Sequence, residues 1–312
     1  MLSEYVDFRE ALNEVQKLYA CALYKCESNN RDCVEKLTLE YKAYQKNLEK
    51  RYLAIPDLSE PDDQWINFED IIHAAPQATI QCHALNEDSL PDKMTGAIIG
   101  RLSGCILGVP VESWSSDDIH DMAMQFGDSF PPTNYWSNVY YPSRFLHHGW
   151  AKKSEYTRLG MNEAPVDDDT GFTILDLLVL EKYGADFQTS DIANIWKEHL
   201  PFAHTAEDIA LKNIKDGLPI QDIAIDGNPY TEWIGGYIRS DGWAWSCPGN
   251  PRKAAEFAWR DAFLTHRKNG MYGEIFFSAV EAAAFTEDSI DDLIKIGLQY
   301  IPQNCRLAKD VR

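Results

Sequence analysis

The sequence lacks any long uninterrupted run of apolar residues, although 45% of its 312 residues are hydrophobic. No stretch of about 18 apolar residues occurs, so we expect no transmembrane helix. The N-terminus, MLSEYVDFREALNEV, carries charges from its fourth residue on and has no apolar core of the signal-peptide type. These two absences predict a cytoplasmic protein with no membrane partner.

Positive charge is also scarce, because 29 Lys and Arg residues face 49 Asp and Glu residues and the formal net charge is −20. Such a surface repels the phosphates of nucleic acids and the anionic heads of lipids, so we expect no nucleic-acid partner. A small anionic ligand stays compatible with this charge, because a bound divalent cation reverses the sign of the local field. The sequence gives no signal of oligomeric state.

The sequence has no CxxC pair, and its seven cysteines are an odd number. Without a secretion signal, this pattern predicts reduced thiols in a cytoplasmic protein. Cys21, Cys26 and Cys33 are closely spaced, but no fourth ligand follows at the spacing of a zinc site, so we do not interpret them as a metal knuckle.

The periodicity of the apolar residues predicts helices almost throughout. Residues 3–26 and 31–50 fit a helical hairpin, and residues 55–93 an irregular connector with a short helix near 68–74. Residues 1–93 are therefore expected to form an N-terminal helical extension and connector, and residues 94–312 the main domain. Start and stop signals in the main domain predict a helix at 190–200 with Ser190 as its N-cap, and one at 205–217 that a capping box from Thr205 opens and Gly217 closes. They also predict helices at 251–266, 271–285 and 289–300. Nothing after Met94 alternates like a β-sheet, so the expected fold is all-α.

The first motif that suggests a chemical function is MTGAIIGRLSGCILGVPVESW, residues 94–114. Gly96, Gly100, Gly104 and Gly108 recur every four residues and so share one face of a helix. Each interior glycine costs a helix about 1 kcal/mol relative to alanine, so the row needs a compensating cause. Close approach of another helix or of a ligand would supply it, and the spacing leaves both open. The motif ends at a proline and at Glu112, whose carboxylate can turn towards a site.

The second motif is APVDDDTGFTILDLLVLEKYG, residues 164–184. Asp167, Asp168 and Asp169 stand directly before an amphipathic helix. Capping and the helix dipole explain one or two of them. Three adjacent like charges repel one another unless a cation lies between them, and hard oxygen ligands suit Mg²⁺ or Mn²⁺ better than Zn²⁺. Spacing alone leaves capping and metal binding both open.

The third motif extends over residues 227–245 and 250–285 and combines flexible backbone with polar side chains at helix ends. Two glycines permit close backbone approach to a ligand, an arginine offers a fork of donors for phosphate, and three polar residues lie where one helix ends and the next begins. These residues are Gly235, Gly236, Arg239, His266, Asn269 and Tyr272. Each of them, taken singly, also fits a role as a cap or a buried core residue.

Together these motifs resemble the ADP-ribosylglycohydrolase family, in its bacterial branch. GAIIGRLSGCILGVPVE is similar to the family's glycine-rich helix that ends in a glutamate, and Asp167-Asp168-Asp169-Thr170 to its acidic metal motif. NPYTEWIGGYIRSD and LTHRKNGMYGE are similar to later segments of that branch. The resemblance covers roughly residues 94–306. It implies an orthogonal all-α bundle, two Mg²⁺ ions (or Mn²⁺), and hydrolysis of a glycosidic bond at the ribose C1″ of an ADP-ribosylated protein or a related ADP-ribose conjugate.

The resemblance also implies roles for particular residues. Asp168 and Asp169 match ligands of the metal pair, and Asp167 stands where many members have a threonine ligand. Glu112, Asp168 or Asp169 would orient or deprotonate the attacking water. The six residues of the third motif are the candidates for binding the ADP-ribose group.

One family motif is not matched. Family members carry a second acidic motif, Gly-x-Asp-Thr-Asp, near their C-terminus, whereas the printed sequence ends in NCRLAKDVR, where Asp310 is the only acid. We therefore expect either a fragment of a longer protein or a shortened relative, with impaired hydrolysis. Two other interpretations stay open: a non-catalytic protein that binds ADP-ribose or another nucleotide, and an inert helical structural protein.

Overall fold

The computed structural model describes residues 31–53, 65–77, 80–112, 114–140, 146–147 and 151–312. The chain divides into two compact units, Met1–Ser59 and Glu60–Arg312. In the first unit, helix α1 comprises Arg31–Leu53 and confirms the helix predicted at 31–50. The other predicted arm of the hairpin, residues 3–26, lies outside the described residues.

The described part of the second unit is mainly helical, with its longest irregular connection between α4 and α5. Its α-helices are α2 (Phe68–Ala74), α3 (Leu90–Gly108), α4 (Ser116–Phe126), α5 (Asp168–Tyr183), α6 (Thr189–His199), α7 (Thr205–Asp216), α8 (Ile220–Ile223), α9 (Ser240–Trp245), α10 (Pro251–Thr265), α11 (Lys268–Ala283), α12 (Ile290–Leu298) and α13 (Arg306–Val311). Short 3₁₀ helices span Glu87–Ser89, Val109–Val111, Lys153–Tyr156, Gly184–Asp186 and Ile234–Arg239. The predicted all-α fold is confirmed.

The described residues contain one small sheet of two strands. Strands β1 (Leu146–His147) and β2 (Ala151–Lys152) pair antiparallel, with Leu146 opposite Lys152. Two residues per strand are too few to form a layer of their own, so this hairpin does not alter the fold class.

Several helix ends follow directly from local sequence signals. Ser289 caps α12 by accepting a hydrogen bond from the backbone N–H of Asp292, and Gly217 ends α7 in the left-handed conformation. The predicted capping role of Thr205 is wrong: it is the first residue of α7 with φ 47°, and His204 occupies the cap position. The predicted cap Ser190 lies inside α6, which begins one residue earlier behind Gln188.

The core is organised around α11, most of whose residues are buried. On one side, Trp196, Trp243 and Phe257 belong to a cluster formed by α5, α6, α7, α9 and α10. On the other side, Tyr272 and Ile275 belong to a second cluster with α2, α12 and α13. Each fully buried side chain of this size contributes about 2–3 kcal/mol, so these clusters fix the positions of the surrounding helices.

Helix α3 differs from the others because it is poorly covered. Among the described residues, a Cβ added at Gly96, Gly100, Gly104 or Gly108 would meet nothing within 4 Å. The glycine row therefore does not mark close packing against a helix of the described chain.

The segment Glu87–Val111, which contains α3, is also long and apolar enough to cross a membrane by length and composition, and 22% of its apolar stretch is buried. Gly, Ser and Arg101 interrupt its apolar residues, so an uninterrupted apolar run is absent and the sequence predicts no such segment. Core helices of soluble proteins can meet the same criterion, so length and composition alone assign no membrane role to this segment.

Candidate functional site

The candidate site lies where α5 begins beside α3. Asp167 occupies the N-cap of α5, and its side chain accepts a hydrogen bond from the backbone N–H of Asp169 at 3.1 Å. Thr170 donates its hydroxyl to the Asp167 carbonyl at 3.0 Å. Asp168 and Asp169 follow in the first turn, where the positive end of the helix dipole favours carboxylates. Local capping thus fixes the acidic turn, which is one of the two roles that the spacing leaves open.

A thiol from α3 completes the cluster. Ligand atoms of Cys105, Asp167 and Asp169 all lie within 4.8 Å of one another. The Cys105 thiol donates to Asp169 Oδ2 at 3.4 Å. Of the three predicted metal ligands, Asp167 and Asp169 therefore belong to this converging group, whereas Asp168 does not. Sequence reasoning missed Cys105, whose one available signal was its place inside the glycine-rich motif.

Burial and neighbouring charges shift the pKa values of the groups in this cluster. The pKa of Asp169 is raised to about 6, chiefly by burial and also by the charges of Asp167 and Asp168, against the lowering effect of Arg101. Burial, followed by the Asp169 charge, raises the pKa of Cys105 to about 12. Burial also raises the pKa of Tyr156, whose hydroxyl donates to the Val166 carbonyl. A bound cation would relieve the repulsion that these shifts record.

Arg101 connects this cluster to a second acidic group. Its Nη1 lies 3.9 Å from Asp169 Oδ2, its Nε lies 2.9 Å from Asp241 Oδ2, and its Nη2 donates to the carbonyl of Ile238. Burial raises the pKa of Glu281 well above its ordinary value, and the adjacent Asp241 raises it further. The Asp241–Glu281 pair lies at the wall of a cavity of about 440 Å³. The remaining lining residues are Lys93, Ala97, Gly100, Arg101, Trp245, Ala284, Phe285 and Asp288.

Arg239, predicted to bind phosphate, is instead enclosed in the core. Its side chain is 0% exposed, and its five N–H groups meet acceptors inside the protein. Nε donates to Asp261, Nη1 to Glu207 and to the Gly235 carbonyl, and Nη2 to Thr265 and Glu274. No donor of Arg239 is left for a ligand in this structure.

The other members of the third motif surround the same core. A Cβ at Gly235 would collide with the Glu207 carboxylate, and one at Gly236 would lie 2.9 Å from the Gly270 carbonyl. Both glycines thus permit close approach of the protein's own groups. His266 is fully buried against the Thr265 hydroxyl at 2.6 Å, and burial together with Arg239 lowers its pKa well below the ordinary value.

Two further predicted substrate residues make contacts within the fold. Tyr272 is buried and donates its hydroxyl to the Trp65 carbonyl at 3.0 Å. Asn269 donates to Glu232 at 3.0 Å and accepts from the backbone N–H of Leu307 at 3.0 Å.

The predicted catalytic residue Glu112 is exposed at the end of the 3₁₀ turn after α3. Its carboxylate lies within electrostatic reach of Lys153.

An all-helical unit with a thiol and two carboxylates converging at a helix N-terminus defines a helical protein with a candidate site for a divalent cation. A profile of the ADP-ribosylglycohydrolase family matches residues 86–312. Because this match covers well over half of the chain, the chain belongs to that family. Searches of curated proteins and of solved structures found no match.

Family membership implies a metal, and the donors in the converging group fit Mg²⁺ only in part. Asp167 and Asp169 offer the oxygen atoms that Mg²⁺ requires. The third converging atom is the sulfur of Cys105, which suits softer metals.

Proposed function

We propose that the protein hydrolyses the glycosidic bond at the ribose C1″ of an ADP-ribosylated protein or a smaller ADP-ribose conjugate. The observation that carries this proposal is the acidic turn at the start of α5, which lies inside the segment matched by the family profile. Family membership supports a glycosidic hydrolase of this type. The bond, the substrate and the dependence on a divalent cation are parts of the proposal.

Electrostatic repulsion sets the order in which the cation and the substrate bind at the site. The substrate carries a diphosphate, and the cluster of Asp167, Asp168 and Asp169 is negative, so the two repel each other directly. A divalent cation would supply the positive charge that reverses this repulsion and the Lewis acidity that polarises oxygen ligands. The cation should therefore bind before the substrate.

We assign Asp168 as the general base that accepts a proton from the attacking water. It is half-buried, and its ligand atoms are not part of the converging group of Cys105, Asp167 and Asp169. Its charge reaches Asp169, Tyr156 and Glu207, as the raised pKa values of those groups show. A carboxylate beside the cluster can accept a proton from water as the bond at C1″ breaks through an oxocarbenium-like state.

Glu112 is the second candidate for this step. It follows α3 directly and is exposed, so it is accessible to a substrate. Asp169 suits the role less well, because its oxygen is engaged by Cys105 and faces Arg101.

The test incubates the protein with an ADP-ribosylated protein or a small ADP-ribose conjugate in the presence of Mg²⁺, Mn²⁺ or Zn²⁺. Chromatography measures the ADP-ribose that is released. We expect release with at least one cation and none after chelation. Asp168→Asn should lower kcat by about 10²–10⁴-fold, the usual contribution of a positioned base. Asp186→Asn makes the same chemical change at an exposed turn beyond the opposite end of α5, so it is the matched control and should keep the wild-type rate.

Binding and hydrolysis are measured separately in this design. Calorimetric titration with ADP-ribose gives binding, whereas chromatography gives turnover. Binding with no turnover for any cation or conjugate would replace the hydrolase by a non-catalytic ADP-ribose-binding protein. Neither binding nor turnover would leave a structural protein.

A further inference from the structure

The converging donor atoms at the start of α5 include one sulfur. The Cys105 Sγ lies 3.4 Å from Asp169 Oδ2, and the third donor, from Asp167, lies within 4.8 Å of both. Cys105 comes from α3 and the two carboxylates from the N-cap and first turn of α5, so the folded chain brings together donors that are more than sixty residues apart.

These distances suit a tetrahedral metal with mixed ligands. Bonds of about 2.3 Å to sulfur and about 2.0 Å to oxygen, at a tetrahedral angle, place the two donor atoms about 3.5 Å apart. The Cys105–Asp169 separation of 3.4 Å already meets that value. Mg²⁺ requires oxygen ligands in near-octahedral geometry at about 2.0–2.1 Å, and a sulfur among the donors does not satisfy it.

We propose that Cys105, Asp167 and Asp169 bind a thiophilic divalent cation of the Zn²⁺ type in preference to Mg²⁺, with Cys105 as a thiolate ligand. The inference deepens the proposed function, because it assigns the chemical class of the cation on which that function would depend. Binding forms the sulfur–metal bond and releases the thiol proton to the solvent, so no oxidation or reduction takes place.

The surrounding charges support a dication. The two carboxylates and the thiolate of the bound state carry three negative charges, and Asp168 adds a fourth within electrostatic reach. Arg101 lies beside the cluster, with its Nη1 3.9 Å from Asp169 Oδ2 and its Nε closer to Asp241, at 2.9 Å. Arg101 therefore divides its positive charge between Asp169 and Asp241, and a dication would add positive charge beside Asp169.

The experiment uses the full chain after chelation, titrated with Co²⁺ as a spectroscopic substitute for Zn²⁺. A thiolate ligand gives a sulfur-to-cobalt charge-transfer band in the near ultraviolet, which oxygen ligands do not give. We expect this band to saturate at one equivalent of Co²⁺, to disappear on addition of Zn²⁺, and to persist in a large excess of Mg²⁺.

Three variants separate this site from the other thiols. Cys105→Ser should lose the band and bind Zn²⁺ more than about tenfold more weakly, since even partners outside the ligand shell contribute that much. Cys105→Asp should lose the band and shift the preference from Zn²⁺ towards Mg²⁺ or Mn²⁺, which also shows that the site stays folded. Cys82→Ser is the matched control, because Cys82 is a free thiol beside Thr286 and Glu287, and it should keep the band.

A wild-type protein without the band, a band that Cys105→Ser retains, or displacement of Co²⁺ by Mg²⁺ would each overturn the proposal. These readouts do not depend on turnover. A band that responds as expected, together with no hydrolysis, would support the site and reject the proposed function. Hydrolysis supported by Mg²⁺ without any band would support the proposed function and reject the site for a thiophilic cation.

Discussion

Arg239 Nε lies 2.8 Å from Asp261 Oδ2 in the helical core, where neither side chain is exposed to solvent. The Arg239 guanidinium also faces the rings of Phe172 and Trp196 at 5.5 and 5.3 Å from their centroids. Three buried carboxylates, from Glu207, Asp261 and Glu274, thus share one permanent positive charge. An arrangement of this kind is sensitive to the loss of its cation, because the carboxylates would stay buried without a partner.

We predict that Arg239→Met lowers the free energy of unfolding by about 3–5 kcal/mol, the usual cost of removing one partner from a buried ion pair. Chemical denaturation measures it. Arg252→Met is the matched control, because Arg252 pairs with Glu69 on the surface at 3.1 Å and should cost less than about 1 kcal/mol. Equal losses in the two variants would show that the buried cluster is not the origin of the effect.

Tyr272→Phe should reduce stability without a specific effect on substrate binding. The variant removes the hydroxyl that donates to the Trp65 carbonyl at 3.0 Å, and a hydrogen bond of this kind contributes about 1 kcal/mol. The measurement pairs a denaturation midpoint with KM for the ADP-ribose conjugate. An unchanged midpoint with a raised KM would restore the role in substrate binding that the sequence suggested.

Two glycines should respond in opposite directions to the same substitution. Gly104→Ala should raise stability by up to about 1 kcal/mol, since a Cβ there meets no described atom within 4 Å and alanine favours the helix. Gly273→Ala should lower stability by roughly 1–3 kcal/mol or more, because its Cβ would overlap the ring of Tyr237. Denaturation midpoints of both variants test the pair. A destabilised Gly104→Ala would mean that another surface covers this face of α3.

Stability should depend on pH through Glu281. Burial and Asp241 raise the pKa of Glu281 above its ordinary value of 4.5, so the folded chain binds this proton more tightly than the unfolded chain. Its contribution is complete below about pH 4.5 and is lost as the pH rises through the raised pKa. Glu281→Gln, which stays neutral, should therefore gain stability over the wild type as the pH increases. The unfolding free energies of the wild type and of Glu281→Gln, measured from pH 4 to pH 9, should diverge as the pH rises. Parallel curves for the two proteins would refute the prediction.

Local signals explain why most helices could be predicted. Asp167, Gly217, Pro251 and Ser289 each act within a few residues of their own position, so capping rules locate them without knowledge of the fold. Thr205 shows the limit of such rules, because a suitable residue type was present but the chain entered the helix one residue earlier.

The site was harder to predict because its contacts join distant segments. Asp167 and Asp169 belong to a visible acidic run, whereas Cys105 meets them only when α3 packs beside α5. Arg239 carries the fork of donors expected for phosphate, and nothing in its neighbourhood in the sequence shows that Asp261 and Glu274 will occupy that fork. The sequence identifies the donor and acceptor groups of these residues, but tertiary packing determines which groups they contact.

The partners of Arg239 lie on both sides of it in the sequence, and this order matters while the chain is being synthesised. Glu207 has already emerged from the ribosome when Arg239 appears, but Asp261 and Glu274 follow later. Until Glu274 is available, the guanidinium cannot be desolvated with all its donors satisfied, so this part of the core should stay open to water. The first half of α11, which carries Glu274, would then close the core late in biosynthesis, and a chain interrupted between residues 239 and 274 should be a substrate for chaperones and proteases.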